Sequence, residues 1–254
     1  MGAQFSKDES RVLTYSQDET IRIWTLNGLE GPIILSGHSG RINGAQFSKD
    51  ENQVLSFSED GTARIWPLAD PGNPIILSGH RGGIHGAQFS KNGNRVLTCG
   101  NDGTARVWPL ADPDNPIVLS GHSGRINGAQ FSEDENRVLT YGSDGTARVW
   151  PLADLDNPIV LQGHEAGLFN GGVIGAKILS DGGRVLTYGS DGTARIWPLT
   201  DPDNPIVLQG HTRGIFMLGR GIVGGGVQGA QFSRDEQQLL TYSLDGTAQI
   251  WILD

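Results

Sequence analysis

The sequence predicts an all-β chain assembled from six copies of one four-stranded unit, and three observations lead there. Six tryptophans, Trp24, Trp66, Trp108, Trp150, Trp197 and Trp251, stand 42, 42, 42, 47 and 54 residues apart. Such a period marks an array whose units cannot bury their apolar face alone and so stack on neighbours. Residues 104–145 repeat residues 62–103 at 31 of 42 positions, a closeness that points to recent duplication. Glycine supplies 38 of the 254 residues. No window holds a helical period, so short strands joined by tight turns are expected.

Each unit divides in the same way. In residues 104–145 the apolar or alternating runs are Ala105-Arg106-Val107-Trp108, Ile117-Val118-Leu119, the stretch from Ile126 to Phe131, and Val138-Leu139-Thr140-Tyr141. Asp, Asn, Pro or Gly bounds each run, which gives four strands per unit. The pairs Asp60-Gly61, Asp102-Gly103, Asp144-Gly145, Asp191-Gly192 and Asp245-Gly246 suit two-residue hairpins that need positive φ.

Four side chains recur in register through five units: His38, Ser56, Asp60, Trp66; His80, Thr98, Asp102, Trp108; His122, Thr140, Asp144, Trp150; His164, Thr187, Asp191, Trp197; and His211, Thr241, Asp245, Trp251. On these residues the unit resembles a WD40 repeat, of the bacterial type with near-identical copies, and the resemblance covers essentially the whole chain. It implies a single six-bladed β-propeller, one domain over residues 1–254, with blades at about 1–36, 42–78, 84–120, 126–162, 174–209 and 228–254. A Gly-His pair precedes the innermost strand a, strand b carries the Ser or Thr, the b-to-c turn carries the Asp, and the Trp ends strand c. The resemblance further implies that each set of four is a hydrogen-bonded structural tetrad.

The first unit holds Thr14, Asp18 and Trp24 without a histidine, since the chain starts inside strand a. Six a-b-c sets but five d strands can be counted, so the last blade is expected to lack its own outer strand d. Segment 247–253 would then present an unpaired edge through which copies of the chain could meet. The Asp that usually follows the Trp is Pro in four units (Pro67, Pro109, Pro151, Pro198), which should end strand c by removing a donor. In the first unit Asp18-Glu19 replaces Asp-Gly, so a residue with a Cβ must adopt the turn conformation.

Composition narrows the functional classes. A formal net charge of −9 argues against a nucleic-acid or anionic-membrane binder. No stretch of about 18 apolar residues exists, and the amino terminus lacks a charged leader followed by an apolar run. The single Cys99 cannot form an internal disulfide, so a reducing cytoplasm is expected.

Candidate chemistry is sparse. Histidines beside Asp and Ser or Thr suggest a hydrolytic triad, but five copies fit a structural role, and no catalytic residue, metal site or cofactor is expected. His85 stands just before strand a, where other units place Asn43, Asn127, Ile174 and Gln228; these positions should ring one mouth of a central channel, as a polar lining or a ligand site. The Asp-rich connectors from Asp112, Asp154 and Asp201 space carboxylates as calcium loops do but lack the Gly and distal Glu. Residues 219–224 match G-x-G-x-x-G with no helix pattern following, which dismisses a dinucleotide site.

Both long steps fall in the d-to-a connection, on what the family calls the top. From the tetrad His to the end of strand a the regular unit takes nine residues; from His164 to Ile178 it takes 14 and from His211 to Phe232 it takes 21. Both insertions are Gly-rich and apolar, and arginines lie in the same class of loop. The candidate partner-binding residues are Arg41, Arg81, Arg125, Leu168, Phe169, Arg213, Ile215, Phe216, Met217 and Arg220. They point to a non-enzymatic scaffold that binds a protein or peptide on its top face. A multivalent carbohydrate or small-ligand binder is the alternative. The insertions could instead fold on each other or form a protruding hairpin.

Overall fold

The computed structural model describes residues 1–28, 31–166, 171–212, 215–217, 221–223 and 226–253. Among them are 25 strands and no helix. The chain divides into two compact units, Met1–Gly121 and His122–Asp254.

The first unit holds three antiparallel four-stranded sheets, one per blade. Blade one is β1 (Gly2–Phe5), β2 (Arg11–Tyr15), β3 (Thr20–Thr25) and β4 (Ile33–Ser36). Blade two is β5 (Ile42–Phe47), β6 (Gln53–Ser58), β7 (Thr62–Pro67) and β8 (Ile75–Ser78). Blade three is β9 (Ile84–Phe89), β10 (Arg95–Gly100), β11 (Thr104–Pro109) and β12 (Ile117–Ser120).

The second unit opens with two more such sheets. Blade four is β13 (Ile126–Phe131), β14 (Arg137–Gly142), β15 (Thr146–Pro151) and β16 (Ile159–Gln162). Blade five is β17 (Val173–Ile178), β18 (Arg184–Gly189), β19 (Thr193–Pro198) and β20 (Ile206–Gln209). A short hairpin, β21 (Ile215–Met217) with β22 (Gly221–Val223), interrupts the connection to blade six. Blade six is β23 (Val227–Phe232), β24 (Gln238–Ser243) and β25 (Ala248–Ile252), and among the described residues β25 pairs with β24 alone. The all-β, six-bladed architecture with an incomplete last blade therefore matches the expectation.

Local chemistry sets the turns. Gly61, Gly103, Gly145, Gly192 and Gly246 take φ of 80°, 72°, 80°, 82° and 84°, while Glu19 occupies the same turn at φ 66°. At Gly61 a Cβ would come within 3.1 Å of the Gly82 carbonyl oxygen and 3.2 Å of that of His80, so the next blade's loop also needs the bare backbone. Strand c runs into its proline and stops there. The following Leu68, Leu110 and Leu152 donate their N–H groups to Asn52, Asn94 and Asn136.

Successive side chains point to opposite faces of each sheet, so every blade has a front and a rear, and in blades two to five strand b is buried on both. Blade one turns Leu13, Ile21 and Ile23 toward Val54, Phe47 and Trp66 of blade two. Blade two turns Leu55, Ala63 and Ile65 toward Ile84, Val96 and Trp108 of blade three. The same pattern joins blades four and five (Leu139, Val149 against Val185, Trp197) and blades five and six (Leu186, Ile196 against Leu239, Trp251). A front built on strands b and c thus meets a rear built on strand b, strand a and the tryptophan.

Polar clasps add direction to this packing. Asn43 Nδ2 donates to the Ile84 carbonyl at 2.8 Å and Gln46 Nε2 to that of Ala87 at 3.0 Å, tying strand a of blade two to strand a of blade three. Asn127 and Gln130 do the same toward Val173 and Ala176. At the opposite end Arg11 pairs with Glu51 at 3.2 Å, and Arg184 with Glu236 at 3.4 Å. Both glutamates hold positive φ, 59° and 54°, in the a-to-b turn.

Candidate functional site

Each expected tetrad in blades two to six is assembled. In blade two Trp66 Nε1 donates to Ser56 Oγ at 2.8 Å, Ser56 Oγ lies 2.8 Å from His38 Nε2, and His38 Nδ1 lies 2.8 Å from Asp60 Oδ2. Blades three, four, five and six repeat this with Thr98, Thr140, Thr187 and Thr241 as the hydroxyl. An indole N–H only donates and a carboxylate only accepts, so the relay runs one way: Trp to hydroxyl, hydroxyl to His Nε2, His Nδ1–H to Asp.

Two residues absent from the motif complete the cluster. Thr62 donates both its N–H and its Oγ1–H to Asp60 Oδ1, at 2.8 Å each, and the Ser39 N–H donates to Oδ2 at 3.0 Å. Equivalent bonds come from Thr104 and Arg81, Thr146 and Ser123, Thr193 and Glu165, and Thr247 and Thr212. The aspartate therefore pins the start of the d-to-a loop to the b-to-c turn.

These bonds set the titration behaviour. Burial pushes Asp60, Asp102 and Asp191 up, but hydrogen bonds from threonine, histidine and backbone N–H donors outweigh it and hold each at about 2. Asp144 is displaced downward in the same way. Burial lowers His38 and His80, against the opposing pull of Asp60 and Asp102, so both favour the neutral imidazole. Any group whose folded value lies below its unfolded one stabilises the fold above the unfolded value and loses that contribution as pH falls toward the folded value. Thermal stability is accordingly expected to start declining below pH 6.5 as His38 and His80 are driven to protonate. It should fall further from pH 3.8 toward 2 as the aspartates protonate. Calorimetry across that range checks both stages; a melting temperature that rises on acidification contradicts them.

The distances resemble a hydrolytic triad, yet the hydroxyl has no access to a substrate. Ser56, Thr98, Thr140, Thr187 and Thr241 are fully buried and each already accepts a tryptophan N–H. Over the indoles lie strand-c arginines that the sequence reading overlooked: Arg64, Arg106, Arg148 and Arg195 sit 5.7, 5.8, 5.9 and 5.8 Å from the rings of Trp66, Trp108, Trp150 and Trp197. Arg106 also donates to the carbonyl of Gly79, beside the tetrad histidine, at 2.8 Å. The recurrence of arginine two residues before five of the six tryptophans was the available signal.

Blade one holds only part of the cluster. Trp24 Nε1 donates to Thr14 Oγ1 at 3.1 Å and Asp18 accepts from Thr20 and Arg22, but Trp24 is 42% exposed.

The partner-binding candidates are distributed as follows. Arg41 and Arg81 are exposed in consecutive d-to-a loops of the first unit, and Arg125, half-buried in the second, donates to Asn127 at 3.2 Å. Ile215, Phe216 and Met217 form β21, which pairs with β22 as a separate two-stranded hairpin rather than as an extension of strands d and a. Leu168, Phe169, Arg213 and Arg220 lie outside the described residues. His85 lies within β9, 2.6 Å from Asn101 Oδ1, while Asn43 and Asn127 serve as interblade clasps.

Two other chemistries find little footing. The connector carboxylates Asp70, Asp112, Asp154 and Asp201 each accept from the asparagine three residues on, a closed turn. The strand-b aromatics Phe57, Tyr141 and Tyr188 pack into the interblade clusters. Each lies across a strand-a glycine, Gly44, Gly128 or Gly175, where a Cβ would collide with the ring. They offer no flat platform for a sugar.

The model of the family described as WD domain, G-beta repeat matches residues 32–67, 74–109, 115–151 and 157–198, more than half of the chain. The chain is a WD40 repeat protein. No curated protein matches it. In blades two to six of this WD40 protein the cluster fastens the start of the d-to-a loop to the b-to-c turn.

Proposed function

We propose that this WD40 protein is a non-enzymatic scaffold that presents its top-face d-to-a loops to a protein or peptide. The observation that carries the proposal is the consistent use of the tetrad aspartate, which anchors the first residue of each d-to-a loop through a backbone N–H in five blades. Rigidly held loop bases with variable, Gly-rich and apolar tips suit recognition, because ordering entropy is met in advance. The arginines Arg41 and Arg81 add donors for carboxylates on a partner. The single cysteine, Cys99, is buried, in keeping with a reducing cytoplasmic setting. The open edge of β25 is a second surface for strand pairing, including with another copy of the chain.

Affinity capture with the wild type, with Phe169→Ser and Phe216→Ser, and with Arg41→Glu and Arg81→Glu tests the assignment. The variants are expected to lose partners that the wild type retains. Identical capture profiles would remove the top face from the account.

A further inference from the structure

Between blades four and five the clasp at the a-to-b turns has its arginine but not its glutamate. Elsewhere the clasp is whole: Arg11 of blade one pairs with Glu51 of blade two at 3.2 Å and lies 5.1 Å from the Phe47 ring, and Arg184 of blade five pairs with Glu236 of blade six at 3.4 Å. In register with these, Arg137 opens strand b of blade four, while blade five carries Ile178 where blade two has Phe47 and Gly182 where it has Glu51. Gly182 keeps the turn at φ 65°, and a Cβ built on it would lie 3.1 Å from Arg137 Nη2. The half-buried guanidinium thus stands where the glutamate would begin. Among the described residues it pairs with no carboxylate and donates no hydrogen bond, and Asp134 feels it only through space. Between blades two and three the turn also has a glycine, Gly93, but there Gln53 takes the arginine's place and no cation is left over. Around Arg137 lies a notch of about 690 Å³, lined also by the exposed Lys177 and by Ile178 and Gly182.

We propose that this notch is a carboxylate-binding site, taking from outside the fold the group that Glu51 and Glu236 supply from within at the whole clasps. Arg137 is the fork that receives it and Lys177 a second positive charge beside it. The ligand's chemistry follows from the groups present. A guanidinium matches a planar carboxylate through two parallel N–H donors. Glu133, Asp134, Asp181 and Glu236 line the same notch, so a phosphate or a run of carboxylates is repelled, and a single carboxylate is what these charges admit. The acids already in the notch do not close on Arg137: Asp181 and Glu236 turn to Arg184, at 2.6 and 3.4 Å, and Asp134 accepts from Ser132 Oγ. The site lies at the a-to-b turns, the opposite end of the sheets from the d-to-a loops. It survives even if the role of those loops as a partner site fails.

Titration of the nitrogen-15-labelled full chain, followed by NMR at the amides of Gly182 and Gly183, tests the proposal. The probes are propionate, which is the glutamate side chain freed of its backbone, and the blocked peptide acetyl-Gly-Glu-Gly-amide; phosphate and chloride at equal ionic strength are the controls. Both probes are expected to shift these signals saturably, with weak affinity because a half-exposed ion pair gains little, and the controls to leave them in place. A peptide that binds more tightly than propionate assigns the carboxylate to a polypeptide partner, and equal affinities assign it to a free acid; either result supports the site. Gly182→Glu supplies the carboxylate from within, on a turn that Glu9, Glu51, Glu135 and Glu236 already make at φ of 57°, 59°, 57° and 54°. It should resist urea better than wild type and no longer respond to the probes at Gly183. Arg137→Gln, which places there the residue blade two has at Gln53, should lose the response as well, so the test does not depend on the first variant folding. Wild-type signals that no probe shifts, an equal response to phosphate, or a response that persists in Arg137→Gln overturns the proposal.

Discussion

Trp108→Ala is expected to destabilise the protein by about 3–5 kcal/mol, the cost of removing a large buried side chain from a contact that cannot collapse around the hole. Trp108 is 1% exposed and packs under Leu55, Ile65 and Leu77 of the preceding blade. Its indole also donates to Thr98 Oγ1 at 2.8 Å and carries the Arg106 guanidinium over its ring. Truncation therefore opens a cavity between blades two and three, takes one hydrogen bond from a buried hydroxyl and strips Arg106 of its ring. Against a total stability of about 5–15 kcal/mol for a domain, this is a large share. Trp24→Ala is the control, since Trp24 occupies the same position with its ring partly in water. Urea unfolding should give a much lower midpoint for Trp108→Ala than for Trp24→Ala. Equal losses would mean that blade one is packed as tightly at its rear as the interior blades are.

Asp144→Ala is expected to cost on the order of 1–3 kcal/mol, because it leaves buried donors without an acceptor. The carboxylate receives His122 Nδ1–H at 2.9 Å, the Ser123 N–H at 3.0 Å, and the Thr146 N–H and Oγ1–H at 3.0 and 2.9 Å. No water reaches the side chain freely, since it is 5% exposed. Asp144→Asn keeps one acceptor oxygen and should fall between alanine and wild type. Asp18→Ala, in the blade that lacks a histidine, should have a much smaller effect, because Asp18 is exposed and its threonine and arginine donors can turn to water. Thermal unfolding of the three variants checks the order; an Asp144→Ala protein as stable as wild type would mean that the cluster is not formed in blade four.

Most of the architecture was legible because it repeats. Asp-Gly turns, alternating strands and the tryptophan period each point to the same unit, and agreement across levels makes a sequence readable. The missing outer strand of blade six followed from counting. Other features were illegible for physical reasons. Asn43 and Gln46 look like ordinary polar positions in a strand, and only the closeness of the next blade's strand a makes them interblade donors. Arg106 reads as a solvated strand residue until the indole beneath it is placed. Thr62, Thr104 and Thr146 follow the Asp-Gly turn and read as strand starts, although their hydroxyls help hold the tetrad aspartate. The candidate top-face loops were legible as lengths and compositions, and the arginines in them as charge. Under the proposed function, what they meet is set by a partner whose identity no local motif in the sequence encodes.

The central claim is that the recurring His, hydroxyl and Asp form a one-way structural relay that fastens each top-face loop. Proton NMR of the chain labelled with nitrogen-15 at histidine reads that relay directly. His38, His80, His122, His164 and His211 should each carry a slowly exchanging proton on Nδ1 and none on Nε2, with His85 distinct from the set. Protons on Nε2, or Nδ1 protons that exchange as fast as those of an exposed imidazole, would contradict the relay and with it the account of how the loops are held.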